Sequence, residues 1–153
     1  MARKNKRYGT SSRDAGGFVI IPWVVLDSAA YGALSHPAKA LLLEVVRQFH
    51  GDDNGRMILT RKHLAGRGWK SHDVVKRATD ELIEAGFLYR TVMGARPNRA
   101  AWYALTWLSL DRLDGFDPGA AAGFVRSAYL PQKMTALARE TGQRGPPLAR
   151  ETG

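Results

Sequence analysis

Apolar residues recur with a helical period in residues 35–49. Ser35 precedes this run as an N-cap candidate, and Pro37 falls in the first turn, where its missing N–H costs little. The repeating apolar positions are Ala38, Leu41, Leu42, Val45, Val46 and Phe49. Spacings of three and four residues place these side chains on one face, so the sequence predicts a long core helix.

Residues 60–88 predict two further helices joined by a tight turn. Thr60 is placed to cap the first helix, residues 61–67, which has Leu64 and Ala65 to bury. The turn follows at residues 68–70. A short capped helix, a turn and a longer amphipathic helix form the layout of a helix-turn-helix unit.

The second of these helices has an apolar face and a polar face. Ser71 is its predicted N-cap, and Gly86 follows its last periodic residue, where a helix-ending glycine belongs. The apolar stripe is Val75, Ala78, Thr79, Leu82 and Ile83. The opposite face carries His72, Lys76, Arg77 and Asp80. We therefore expect one side to pack inward and a mainly basic side to face solvent.

Two β-prone segments follow the helices. Residues 87–92 and 101–107 are rich in β-branched and aromatic side chains, and residues 93–100 between them contain glycine, proline and asparagine. Arginines flank that turn, so the sequence predicts a hairpin with a basic tip. A shorter apolar run, residues 57–59, predicts a short strand before the helix-turn-helix unit.

Residues 18–26 form an apolar segment that contains Pro22. We expect it to be irregular or strand-like and to pack on the core, with Trp23 as a large buried contact. Asp27 and Ser28 can cap a short helix over residues 28–33. Core packing is also the expectation for most of the other tryptophans, against the alternative of stacking platforms for single-stranded nucleic acid.

The predicted organisation is one folded domain with less ordered ends. Residues 1–17 form a disordered basic arm, which is either a solubilising tail or an arm that tracks phosphates. The domain covers residues 18–110, and residues 111–130 form a weakly structured extension in which residues 124–129 dock weakly. Residues 131–153 form a disordered tail in which Leu-Ala-Arg-Glu-Thr-Gly occurs twice, as a tolerated duplication or as a bivalent motif for a partner protein.

Charge and composition narrow the class of partner. The formal net charge is +9 and the pI is about 10.3, which suits an anionic partner. Residues 1–13 hold five basic and no acidic residues, and residues 56–99 hold ten basic and four acidic residues. The chain has no cysteine, which excludes disulfides and thiolate sites. No apolar run is long enough to span a membrane, so we expect a cytoplasmic, nucleoid-associated protein.

Several short motifs give the chain a resemblance to a known family. The matching residues are Leu26-Asp27-Ser28, Leu34-Ser35, Asn54-Gly55, Leu59-Thr60, Arg67-Gly68-Trp69, Glu84-Ala85-Gly86-Phe87 and Tyr103-Ala104-Leu105-Thr106-Trp107. Over about 90 residues the chain resembles small bacterial, phage and plasmid helix-turn-helix proteins. More loosely, it is similar to winged-helix domains of plasmid replication initiators and MarR-like repressors. The fold class that this implies is mainly α with a small β-hairpin (α+β), a three-helix core plus a wing.

The resemblance implies binding to double-stranded DNA, as a transcriptional regulator or as an accessory protein in replication or partition, with a homodimer on DNA as one arrangement. In such a domain the second helix of the unit reads the major groove, chiefly through residues at its N-terminal end. The candidate DNA-binding residues are Arg61, Lys62, Lys70, Ser71, His72, Asp73, Lys76, Arg77, Arg96, Asn98 and Arg99 in the domain, with Arg3, Lys4, Lys6 and Arg7 in the arm.

The alternative is a protein-interaction adaptor that uses the wing or the tail and has only non-specific affinity for DNA. No sequence motif supports an enzyme, a cofactor or a metal site. The four histidines lack metal-ligand spacing, and the turn at residues 51–55 lacks the spacing and the terminal glutamate of a calcium loop.

Overall fold

The computed structural model describes residues 14–133 of the 153-residue chain. The elements in order are α1 (Trp23–Leu26), α2 (Ala29–Gly32), α3 (His36–Gln48), α4 (Arg61–Ala65), α5 (His72–Glu84), β1 (Leu88–Val92), β2 (Trp102–Leu105) and α6 (Ala120–Gly123). The fold is α+β: helices combined with a two-stranded antiparallel hairpin. The predicted arm and both copies of the tail repeat lie outside the described residues.

The core lies between α3 and α5, which pack against each other. From α3 the buried side chains are those of Ala38, Leu41, Leu42, Val45 and Val46, and from α5 those of Ala78, Thr79 and Leu82. Val75 and Ile83 are half-buried at the edges of the same face. The two predicted apolar stripes are therefore confirmed, and they face each other.

The predicted N-caps are confirmed in all four helices for which they were expected. Ser28, Ser35, Thr60 and Ser71 each accept a hydrogen bond from the backbone N–H three residues further on, at 3.2 to 3.3 Å. Each cap satisfies one of the N–H groups that a helix start leaves without an intrahelical partner. Local sequence thus determines where these helices begin.

Three expectations about this part of the fold are wrong. Residues 18–26 were expected to be irregular or strand-like, but Trp23–Leu26 forms the helix α1. The helix that begins after Thr60 ends at Ala65, short of the predicted Arg67, and the side chain of Ala65 is exposed. Trp23 is 82% exposed, because α1 turns Val25 toward the core in its place. A helix of four residues can direct only a narrow face inward, and here that face holds the valine.

The hairpin pairs Leu88 with Leu105 and Arg90 with Tyr103, and the register shifts between Arg90 and Val92. Both predicted strands are confirmed. The strand predicted at residues 57–59 is reduced to a single bridge, in which Met57 and Tyr103 exchange backbone hydrogen bonds of 3.2 and 2.9 Å. One bridge joins the chain before α4 to the returning strand of the hairpin.

A buried amide connects this bridge region to the chain beyond the hairpin. The side chain of Asn54 is fully buried and donates to the carbonyl oxygens of Leu105 and Ser109, at 3.0 and 2.9 Å. Its Oδ1 accepts from the N–H of Leu105 at 2.8 Å. Buried polar groups need such partners, so the amide fixes three segments of the chain together.

Residues 108–130, here called the covering segment, pack on the hairpin more extensively than the sequence pattern indicates. The Tyr129 ring is buried and stacks on Phe87 with centroids 5.0 Å apart. Phe124 meets Tyr89 edge to face, and the Tyr89 hydroxyl donates to the carbonyl oxygen of Ala120 at 2.8 Å. The segment contains one short helix, yet it covers the face of the hairpin that carries Tyr89.

No helix within residues 14–133 has the length and apolar character needed to cross a bilayer.

The approach of the covering segment to Gly86 gives a stability prediction. Gly86 and Gly68 both have positive φ, +85° and +89°. A Cβ at Gly86 would lie 2.4 Å from the carbonyl oxygen of Ala128, whereas one at Gly68 would meet nothing within 4 Å. We expect Gly68→Ala to lower the free energy of unfolding by about 1 kcal/mol and Gly86→Ala by about 3 kcal/mol or more. Urea denaturation measures both, and equal losses would contradict the packing described here.

Candidate functional site

An open groove of about 930 Å³ lies between α5 and the hairpin. Its walls come from the start of α4, the turn before α5, the polar face of α5 and the hairpin loop, residues 93–101. The charged residues in its lining are Arg61, Lys70, Lys76, Asp80, Arg90, Arg96 and Arg99. We call it the helix–hairpin groove. Six cationic side chains against one carboxylate make it a basic concavity, which attracts anions.

The groove collects most of the site residues predicted from the sequence. Eight of them line it: Arg61, Lys70, Ser71, His72, Lys76, Arg96, Asn98 and Arg99. Lys62, Asp73 and Arg77 are exposed but lie outside the lining. The four predicted residues of the arm are outside the described part of the chain.

Two of the lining cations are held in ion pairs. The ammonium of Lys76 lies 2.6 Å from a carboxylate oxygen of Asp80, one turn further along α5. The guanidinium of Arg99 lies 2.8 Å from Asp117 of the covering segment. Both cationic side chains are more than half exposed, and exposed pairs contribute about 0–1 kcal/mol. An incoming anion can therefore displace these carboxylates at small cost.

Other cations of the site have no carboxylate partner among residues 14–133. They are Arg61, Lys62, Lys70, Arg77 and Arg96. The Nε of Arg77 donates only to the carbonyl oxygen of Asp73, at 3.4 Å, which leaves its charge uncompensated. These side chains present positive charge from α4, the turn before α5, α5 itself and the hairpin loop.

A carboxylate on α3 holds the turn between α4 and α5. Glu44 accepts from the Nε of Arg67 at 2.9 Å and from the indole N–H of Trp69 at 3.4 Å. Gly68 between them has a φ of +89°, a conformation that glycine adopts without strain. The sequence-predicted Arg-Gly-Trp turn is thus anchored to the core helix, just before the N-cap of α5.

A second carboxylate fixes the other end of α5. Glu81 accepts from the backbone N–H of Ser35 at 2.7 Å and from its hydroxyl at 2.6 Å. Ser35 is the N-cap of α3, so the negative charge of Glu81 lies at the positive end of that helix dipole. Together with Glu44, it holds α5 against α3 at both ends.

Among the lining residues that the sequence did not predict are Arg90, Met93 and Tyr103. Arg90 lies over the ring of Tyr103 with its guanidinium carbon 5.5 Å from the centroid. Its Nε is buried and has no hydrogen-bond partner in the described part of the chain. Side chains alternate between the two faces of the strand predicted at residues 87–92. This alternation could have identified Arg90, because Arg90 lies on the same face as Leu88.

No group of three or more histidine, aspartate or glutamate side chains within residues 14–133 could hold a metal ion. Burial raises the pKa of Tyr89 and of Tyr129 above the usual value of 10.0, because the ionised hydroxyl would lose hydration. Neither tyrosine lines the groove.

Comparisons with protein-family models, with curated proteins and with solved structures found no significant match.

The anchoring role of Glu44 can be tested. Glu44→Ala removes both the charge that pairs with Arg67 and the acceptor of the Trp69 indole N–H, so we expect the free energy of unfolding to fall by about 1 kcal/mol and that N–H to exchange faster. Denaturant titration and NMR hydrogen exchange measure the two effects. Glu84→Ala, at the exposed last residue of α5, is the matched control and should change neither. Unaltered exchange of Trp69 in Glu44→Ala would show that the turn does not depend on this contact.

Proposed function

We propose that the protein binds double-stranded DNA as a winged-helix domain. In this proposal α4, the turn and α5 form the helix-turn-helix unit, α5 is the reader helix and the hairpin is the wing. The role is that of a transcriptional regulator, or of an accessory protein in replication or partition, in a bacterium or a mobile element.

The order of elements supports this architecture. A core helix, α3, is followed by the bridge at Met57, then by α4, α5 and the hairpin. This is the order that the motif resemblance implies for a three-helix core with a wing. The caps at Thr60 and Ser71 begin the two helices of the unit where that resemblance requires them.

The observation that carries the proposal is the division of α5 into two faces. Ala78, Thr79 and Leu82 are buried against the core, whereas Lys76 and Arg77 are exposed. A helix about 10–12 Å across fits a B-DNA major groove about 12 Å wide. With 13 residues, α5 is about 20 Å long and can present its first turns to base edges.

The residues of α5 divide into two roles on DNA. Ser71 and His72 at its start, with Asp73, face the position where base edges are read, since reader helices contact bases chiefly through their N-terminal residues. Asp73 is an acceptor suited to a cytosine amine. Lys76 and Arg77 follow one turn later, where a guanidinium can bind guanine O6 and N7 or a phosphate.

The opposite wall of the groove supplies contacts to the backbone. Arg96 and Asn98 lie exposed in the hairpin loop, and Arg61 lies at the start of α4. Phosphate contacts position a protein on the duplex without reading sequence. The arm of residues 1–13 would add further non-specific attraction.

Salt dependence separates DNA binding from the adaptor alternative. Neutralising roughly five phosphates releases their counterions, so the affinity for duplex DNA should fall about 10²–10³-fold between about 50 and 200 mM salt. Fluorescence anisotropy of a labelled mixed-sequence duplex measures this slope. A flat response would favour an adaptor whose affinity for DNA is incidental.

The reader assignment predicts a difference between two exposed arginines. Arg77→Ala should weaken binding to a duplex selected from random sequence by about 5- to 100-fold, the loss expected for one good base contact. Arg47→Ala removes the same charge from α3, an element that the proposal does not place on DNA, and should change affinity by no more than about twofold. Equal losses would contradict the assignment of α5.

A palindromic selected sequence would indicate two copies of the chain on one site.

A further inference from the structure

One aspartate of the covering segment, Asp117, makes three contacts at the base of the hairpin loop, two through its carboxylate and one through its backbone. The backbone N–H of Asp117 donates to the carbonyl oxygen of Thr91 at 2.9 Å. Its Oδ2 accepts from the N–H of Met93 at 2.7 Å, and its Oδ1 lies 2.8 Å from the guanidinium of Arg99. Asp117 therefore holds the strand that enters the loop and the arginine on the side that returns from it.

Asp117 provides the backbone N–H of Met93 with a hydrogen-bond acceptor that the paired strand does not provide. The register of the hairpin shifts between Arg90 and Val92, and the last pair before the loop is Val92 with Trp102. The N–H of Met93 lies beyond that pair and is satisfied by Asp117. A loop whose first amide is tied to a separate segment has fewer conformations than one held only by its own strands.

The contact with Arg99 changes the charge that the groove presents. Arg99 lines the helix–hairpin groove, whereas Asp117 lies outside that lining. The side chain of Arg99 is 58% exposed and that of Asp117 is 24% exposed, so the arginine of this pair is open to solvent. A paired carboxylate cancels much of the attraction that the guanidinium would exert on a phosphate.

We propose that Asp117 is a positioning residue that sets the placement of the hairpin loop and weakens the attraction of Arg99 for DNA phosphates. The inference rests on the proposed function for its charge effect, whereas its effect on the loop is independent of DNA. When DNA binds, Arg99 leaves the Asp117 carboxylate and pairs with a phosphate. The covering segment therefore adjusts the affinity of the hairpin for DNA without contacting the duplex.

The variant Asp117→Asn separates the two roles. Asparagine keeps an oxygen acceptor for the N–H of Met93 but removes the negative charge beside Arg99. The affinity for a labelled mixed-sequence duplex at low salt should rise about 3- to 10-fold, and the gain should shrink as salt is added. Adding Arg99→Ala to this variant should abolish the gain.

A matched control removes the same charge elsewhere in the covering segment. Asp114 is 87% exposed and pairs with Arg56 at 3.1 Å, outside the groove lining. Asp114→Asn therefore makes the same change in net charge without freeing a groove cation. Its affinity should stay within about twofold of the unaltered protein, because a general charge effect on an exposed pair is small.

The variant Asp117→Ala removes the loop contact as well. Its Met93 amide should exchange with solvent at least about tenfold faster than in Asp117→Asn, since the amide loses its acceptor. It should also bind the duplex less tightly than Asp117→Asn, because a less fixed loop loses more entropy on binding.

The outcomes distinguish this inference from the proposed function. Tighter binding by Asp117→Asn, with faster Met93 exchange only in Asp117→Ala, supports both roles. Unchanged or weaker binding by Asp117→Asn, or a gain equal to that of Asp114→Asn, overturns the charge role. Equal Met93 exchange in both Asp117 variants overturns the loop role. Failure of the unaltered protein to bind any duplex overturns the proposed function, and Met93 exchange in the free protein then decides the loop role alone.

Discussion

The packing of α5 on α3 is the constraint on which the rest of the structure depends. Because α5 buries Ala78, Thr79 and Leu82 against the core helix, its opposite side faces solvent. Glu81 of α5 accepts from the N-cap residue of α3, and Glu44 of α3 accepts from Arg67 in the turn before α5, so both ends of α5 are tied to α3. Apolar burial supplies most of the free energy, whereas the two carboxylates determine rotation and register.

The hairpin depends on a different kind of support. A two-stranded sheet is marginally stable by itself, and here it is held on both faces. Leu88 faces the helical core, and Tyr89 faces the covering segment. Because Asp117 and the covering segment are fixed to the hairpin, the loop that carries Arg96 and Arg99 is placed relative to α5 by a part of the chain that lies outside the groove.

The parts of the fold that sequence predicts well are those that local physics determines. A capping hydroxyl, a 3/4 apolar spacing and a glycine with positive φ act within one or two turns, so α3, α5 and the hairpin could be predicted from the sequence. The position of Trp23 could not, since residues 18–26 have no period that separates an inner from an outer face. The covering segment was underestimated because side-chain-to-backbone contacts such as that of Tyr89 with Ala120 have no periodic signature. Most of the site follows from the basic and polar residues of the helix-turn-helix unit and the hairpin loop, whereas Arg90 enters it through the strand pairing.

The burial of Asn54 has a consequence for the chemical ageing of the protein. Asparagine followed by glycine is the dipeptide most prone to deamidation, because the next backbone nitrogen can attack an unrestrained side-chain amide. In the native state the amide of Asn54 is shielded from water and held on both sides by hydrogen bonds to Leu105, so it cannot swing toward the nitrogen of Gly55. Conversion of Asn54 to aspartate is therefore confined to unfolded molecules. Once it has occurred, the new carboxylate would oppose refolding, because it would be buried at a position without water. A molecule that stays unfolded long enough to deamidate at Asn54 therefore refolds less readily than one that does not.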